Sequence, residues 1–246
     1  MIVAVVVAVA LVMFALRGQA RDAYVRASGT VEHVTRIGER RTIRLDDGTR
    51  VELGVASTLR HPAPFPPQTR PVTVIGEAFF AVTKDDRRPF IVTAGPAAIE
   101  TMGARFGVRA YPGLNTARVV VDSGGVDVRR VNAEGSPTTA LGAGQGARIA
   151  RDGAINRSDS VNLAALLGWR TGKIVLEDVP LRSALDELER WQRVELRIGD
   201  SVVANRRVTA TFASHQTLTE MLDGIALQAG ARYERSGRTV TFLLDR

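Results

Sequence analysis

Val72-Thr73-Val74-Ile75-Gly76-Glu77-Ala78-Phe79-Phe80-Ala81-Val82, a polar segment Thr83–Arg88, then Pro89-Phe90-Ile91-Val92: the reading of this stretch decides the fold. Apolar residues alternate at Val72 and Val74 and again at Ala78, Phe80 and Val82, with Gly76 as punctuation. A period of two in β-branched and aromatic residues specifies strand rather than helix. Lys84-Asp85-Asp86-Arg87-Arg88 is a charged turn, and Pro89 suits the first residue of a new edge strand. The stretch predicts a strand pair inside an all-β core.

The same pattern extends on both sides. Thr30–Val34 and Arg41–Leu45 read as strands; Asp46-Asp47-Gly48-Thr49 is an Asp-Gly hairpin turn returning into Arg50–Leu53. Leu59–Arg70 holds four prolines and reads as a loop. Met102–Tyr111 alternates. Ala117–Val121 is a strand, Asp122–Gly125 a turn, and Val126–Val131 its hairpin partner. Thr139–Leu141 leads into the glycine-rich turn Gly142–Gly146 and then Ala147–Ala150. Strands at this spacing predict a sandwich-like β body over residues 27–153.

Beyond a linker at 154–171 the pattern changes. Lys173–Leu176 reads as a strand, and Asp178-Val179-Pro180 as a helix start. Leu181, Ala184, Leu185, Leu188 and Trp191 then share one helical face. Val194–Ile198 and Arg207–Phe212 are strands. Thr217-Leu218-Thr219-Glu220 is a capping box opening a second amphipathic helix. Ala231–Glu234 and Thr239–Leu243 close the chain. Leu181/Leu218 and Leu185/Leu222 recur at one fixed spacing, which predicts a small domain of two βαβ units over residues 172–246.

Ile2–Leu16 is an unbroken apolar run ended by Arg17. It is slightly short of the ~20 residues of a membrane helix, and it lacks the basic start of a signal peptide. A cleaved signal peptide ending near Gly18-Gln19-Ala20 and a short or truncated membrane anchor both compete; the anchor, over residues 1–17 and truncated at its start, is preferred. The fold class expected is therefore α+β: an N-terminal membrane helix, an all-β sandwich-like domain and a small α/β domain.

With no cysteine, disulfides, thiolate nucleophiles and cysteine metal sites are excluded. The net charge of +7 is almost all arginine, lysine occurring only at Lys84 and Lys173. Those arginines are scattered singly rather than clustered with aromatics, which argues against a nucleic-acid surface. No site for catalysis, cofactor or metal emerges. His33, His61 and His215 stand far apart. Gly142, Gly144 and Gly146 precede no Walker lysine. Asp46/Asp47 and Asp85/Asp86 are adjacent pairs, which a strand would turn to opposite faces. Trp169 and Trp191 read as core or interdomain packing.

Leu45-Asp46-Asp47-Gly48-Thr49, Gly76-Glu77-Ala78-Phe79-Phe80, Pro89-Phe90-Ile91-Val92, Gly103-Ala104-Arg105-Phe106, the Val119–Val128 hairpin wording and Leu141–Gln145 occur in one order. In that order they resemble the FecR family of membrane-anchored signalling regulators. Ala104 stands where that family usually has Thr, and Ser123-Gly124-Gly125 where Glu-Gly is usual. Val179-Pro180-Leu181 and Thr217-Leu218 with Met221-Leu222 resemble the secretin/TonB short N-terminal domain.

The resemblance implies a non-enzymatic, cofactor-free regulator, single-pass in a bacterial inner membrane with most of its chain periplasmic. Its implied partners are the signalling domain of a TonB-dependent outer-membrane transporter, as in iron-uptake regulation, and an extracytoplasmic-function sigma factor. The latter would be reached through a cytoplasmic segment absent from this chain. The alternative is an exported envelope-binding or structural module; an enzyme on an envelope polymer ranks last.

Overall fold

The computed structural model describes residues 29–132, 138–213 and 215–245. Thirteen strands form the first part: β1 (Gly29–Val34), β2 (Arg41–Arg44), β3 (Arg50–Leu53), β4 (Thr58–Ala63), β5 (Arg70–Ala81), β6 (Phe90–Ala94), β7 (Ala97–Thr101), β8 (Arg105–Ala110), β9 (Thr116–Ser123), β10 (Gly125–Arg130), β11 (Thr139–Gly142), β12 (Gly146–Ala150) and β13 (Ile155–Ser158). They make one hydrogen-bonded sheet folded over on itself. One half runs β1-β4-β5-β6-β7-β10-β11. The other runs β2-β3-β5-β8-β9-β12-β13.

β5 belongs to both halves. Its first residues pair with β4 and β6, and residues from Gly76 onward pair with β8. The strand bends at Gly76, whose φ is +103°. A Cβ there would meet Ser57 Cα at 2.9 Å, so glycine is required both by the backbone angle and by the neighbour. The bend brings the two ends of β5 together around Arg70. This side chain is fully buried and donates from Nη1 to Asp47 Oδ2 and to the Thr83 carbonyl, each at 2.8 Å. Its Nε donates to the Arg88 carbonyl at 3.0 Å, and its guanidinium lies 5.4 Å from the Phe90 ring centre. Asp47, from the Asp-Gly turn, is thereby the counter-ion that a buried arginine needs.

Alternation then fills two cores from one strand. Ala78 and Phe80 point inward with Val51, Leu53, Phe90, Ile99, Phe106, Val119, Val128 and Ile149. Phe79 points outward into a second core, built with the C-terminal unit.

That unit follows a short helix α1 (Leu163–Leu166) and a 3₁₀ turn (Gly168–Thr171). It contains β14 (Lys173–Pro180), α2 (Leu181–Trp191), β15 (Glu195–Ile198), β16 (Arg207–Ala213), α3 (Leu218–Ala229), β17 (Ala231–Ser236) and β18 (Thr239–Leu244). The α3 capping box forms as expected, with Thr217 and Glu220 bonding reciprocally, and Gly230 ends the helix in the left-handed conformation. The apolar stripes of α2 and α3 share one core with Ile174, Phe212, Val240 and Phe242.

Several expectations need correcting. The α+β class with an N-terminal membrane helix gives way to a mostly β molecule. The α-helices of the described residues have 4, 11 and 12 residues, and a 12-residue helix spans roughly 18 Å against a hydrocarbon core of ~30 Å. No helix of the described residues is long and apolar enough to cross a membrane. The single-pass inner-membrane placement loses its support with it; the run at 1–17 on which it rested lies outside the described residues.

The β body is not a pair of separate sandwich sheets, because β5 hydrogen-bonds both halves into one. Nor are there two βαβ units in the pairing sense. β14 pairs antiparallel with β16, and β15 pairs parallel with β18, so each unit's strands go to different sheets. β10 is not the hairpin partner of β9: it pairs with β7 and β11 across the fold, while β9 pairs with β8 and β12. β6 lies between β5 and β7, parallel to the former, and is not an edge. The proline-rich 59–70 segment contains most of β4; Pro62 sits beyond the part paired with β5, where its missing N–H costs no bond to that strand.

Two substitutions test this frame. Gly76→Ala should lower the unfolding free energy by about 2–4 kcal/mol, combining backbone strain with overlap on Ser57; denaturant titration reads it as a lower midpoint at unchanged slope. Asp47→Ala should cost about 3–5 kcal/mol by stranding the Arg70 charge in the core, a loss that the same titration measures.

Candidate functional site

The outward face of the β3-β5-β8 region carries Glu52, Glu77, Phe79, Gly107 and Arg109, each one step out of phase with the inward core residues. The C-terminal unit sits on this face. Gly107 has no side chain where one would run into Leu167, its Cβ position being 2.5 Å from Leu167 Cδ2. Phe79 is covered by Arg170, whose guanidinium carbon is 3.6 Å from the ring centre. Arg170 also holds Glu52 with two hydrogen bonds of 2.8 and 2.9 Å, the fork geometry that arginine supplies and lysine does not. Arg40 donates to the carbonyls of Trp169 and Arg170 at 2.8 and 2.7 Å. The Gly38 amide donates to the Arg190 carbonyl at 3.0 Å.

At the centre lies a buried ion cluster. Register pairs Glu77 of β5 with Arg109 of β8. Arg109 Nη1 is 3.5 Å from Glu77 Oε1 and 3.4 Å from Glu187 Oε1, and Nη2 bonds Glu187 Oε2. Glu187, on the apolar face of α2, also accepts from Arg190 at 3.0 Å and from the Trp191 indole at 3.3 Å. The Tyr111 ring lies beneath both cations, 5.1 Å from Arg109 and 4.4 Å from Arg190, and its hydroxyl donates to the Val55 carbonyl at 2.7 Å. Glu77 and Glu187 are 2% and 7% exposed, so these charges are held away from water.

The two carboxylates differ in kind. Glu187 is surrounded by donors: burial opposes its ionisation, but Arg109, Arg190 and Trp191 outweigh burial and hold it below the ordinary carboxylate value. Glu77 has only the long contact to Arg109, and its Oε2 has no partner. Burial pushes Glu77 up to about 7, against the pull of Arg109 and with the push of Glu187. Burial and Glu77 likewise raise the Tyr111 phenol. Chemically the cluster is a charge-balanced clamp between two units with one carboxylate poised near neutrality. Its Arg109, Arg190 and Trp191 donors all converge on Glu187.

Other residues singled out from sequence fall elsewhere. Cross-strand pairing of β1 with β4 brings His33 and His61 together, Nε2 to Nε2 at 3.3 Å; His215 is exposed. Among the described residues no group of three or more His, Asp or Glu could hold a metal. Gly142–Gly146 is a turn whose Gln145 side chain accepts from the Gly142 amide at 2.8 Å. Asp47 pairs with Arg70 and Asp85 with Arg88. Trp169 and Trp191 are both buried in the second core.

The ion cluster itself escapes the sequence reading. Two signals pointed to it: Glu77 is a charge inside an apolar strand, and Glu187 falls on the Ala184/Leu188/Trp191 stripe rather than opposite it.

Residues 31–127 match the family described as FecR protein, and residues 173–242 the family described as FecR, C-terminal. Two solved structures, both described as a candidate anti-sigma factor from Parabacteroides distasonis, superpose on 89% and 88% of this chain. Their TM-scores are 0.80 and 0.79 at 25% and 26% sequence identity, and each is matched over 100% of its own length. None of the curated proteins matches.

Glu77 also sets a pH dependence. Folded, it keeps its proton to about pH 7; unfolded, it loses it near 4.5. The folded state therefore binds the extra proton between these values, and stability falls as pH rises through the window, by roughly 3 kcal/mol if Glu77 acted alone. Glu187 acts in the opposite sense and below this window. The unfolding free energy of wild type minus that of Glu77→Gln should accordingly drop between pH 4.5 and 8. A flat difference over that range would show that Glu77 ionises normally.

Proposed function

The chain belongs to the FecR family, and we propose that it is the signal-receiving part of an anti-sigma-type regulator. In this reading the C-terminal unit engages the signalling domain of a TonB-dependent outer-membrane transporter. The β body carries the consequence onward to an extracytoplasmic-function sigma factor. The family is a regulatory rather than a catalytic class.

One observation carries the reading. Glu77 and Phe79, inside the family's central phrase, point away from the β core and into the contact with the C-terminal unit. A partner that shifts α2 changes the surroundings of Glu187 and Arg190, and through Arg109 those of Glu77 on β5. Strand addition offers a docking mode: β15 and β17 are the outer strands of a three-stranded sheet whose middle strand is β18.

The test is a calorimetric titration of the full chain with the signalling domain of a transporter encoded in the same genome, combined with hydrogen exchange. Saturable binding is expected, with new protection within residues 173–242 and altered exchange around Arg109. Protection confined to the β body, or no binding to any such domain, would overturn the assignment.

A further inference from the structure

A cleft of about 680 Å³ opens at the end of the β body where β5 bends, within the size range of small-molecule sites. It lies between the β6–β7 turn, the β8–β9 loop and the ends of β10 and β12. Its lining is largely apolar and includes Ile75, a large residue 38% exposed, and Tyr111, whose hydroxyl donates to the Val55 carbonyl. Asn115 supplies an amide on one wall. At the rim stand Arg130 and Arg151; among the described residues no carboxylate lines the cleft.

Neither arginine forms an ion pair with a described residue, whereas Arg50, Arg70, Arg109 and Arg170 do. Arg130 lies across Gly153, whose φ of +96° and missing Cβ leave it room; a Cβ there would come within 2.8 Å of Arg130 Cδ. A largely apolar lining, a few amides and two uncompensated guanidinium forks form a complement to a small anion with an apolar body.

The cleft also shares its walls with the ion cluster. Ile75 precedes Gly76 and Glu77 on β5, and Arg109 is followed by Ala110, the last residue of β8, and then by Tyr111; the register pairs Gly76 with Ala110 and Glu77 with Arg109. Tyr111, a lining residue of the cleft, carries the ring packed beneath Arg109 and Arg190.

We propose that this cleft is a binding site for a small organic anion, a carboxylate or phosphate ester on an apolar body, with Arg130 and Arg151 holding the anionic group and Tyr111 relaying occupancy to the interdomain cluster. The proposal stands apart from the identity of the regulator's protein partners.

8-Anilinonaphthalene-1-sulfonate, an anion on an aromatic body, is the probe. Titrated into the full chain at low salt, it should bind one saturable site. Arg130→Gln and Arg151→Gln are surface changes, and each should weaken binding by about tenfold, while the uncharged N-phenyl-1-naphthylamine should bind equally to wild type and variants. Of the two tryptophan indole N–H resonances, that of Trp191, which donates to Glu187, should move on saturation and stay still in the double variant. Absence of saturable binding, or binding that the double variant leaves unchanged, overturns the site. Arginine-dependent binding with an unmoved Trp191 resonance overturns the relay through Tyr111.

Discussion

One strand has to serve two halves of a sheet and two hydrophobic cores at once. β5 does so because a strand alternates its side chains and because Gly76 lets it bend. Ala78 and Phe80 fill the β body, while Glu77 and Phe79 meet the C-terminal unit. The bend holds its angle because Arg70, at the first residue of the strand, bonds the carbonyl of Thr83 just beyond its last. Buried arginine without a counter-ion would be severely unfavourable, so the Asp-Gly hairpin that delivers Asp47 is part of the same device.

The contact between the two units is built on the same economy. Its polar groups are arginines rather than lysines, in line with the composition of the chain. Arg170 stacks on Phe79 while gripping Glu52, and Arg109 bridges carboxylates from two units while covering Tyr111. A planar fork can do both; an ammonium cannot. The least satisfied member, Glu77, sits where the two units meet. Burial raises its pKa, and its one ionic contact, to Arg109, is long.

Strands and helix faces were legible residue by residue. Alternation from Val72 to Val82, the turn at Asp46–Thr49, the stripes on α2 and α3 and the Thr217–Glu220 cap all follow from local rules. Pairing was less legible. Ser123-Gly124-Gly125 looks like a hairpin turn, yet it is a corner that sends β10 to the other half of the sheet, with Gly124 packed against Ala104. The prolines of 59–70 suggested a loop, because sequence does not reveal that β4 needs ladder bonds to β5 over only part of its length. The repeat at Leu181/Leu218 predicts two βαβ units; the strands instead pair between units, and it is this exchange that closes one core around both helices.

By itself, then, the sequence determined which residues alternate, which turns are tight, which helix faces are apolar, and the family to which that wording belongs. These properties are local, set by backbone sterics and side-chain polarity within a few residues. Tertiary structure alone decided the partners. Register brought Glu77 beside Arg109, the docking of α2 brought Glu187 to both, and the folding of one sheet over itself opened a cleft rimmed by Arg130 and Arg151. Each of these joins residues far apart in the chain. Their meeting depends on which strands pair across the whole fold, and a period of two is the same whichever neighbour a strand takes.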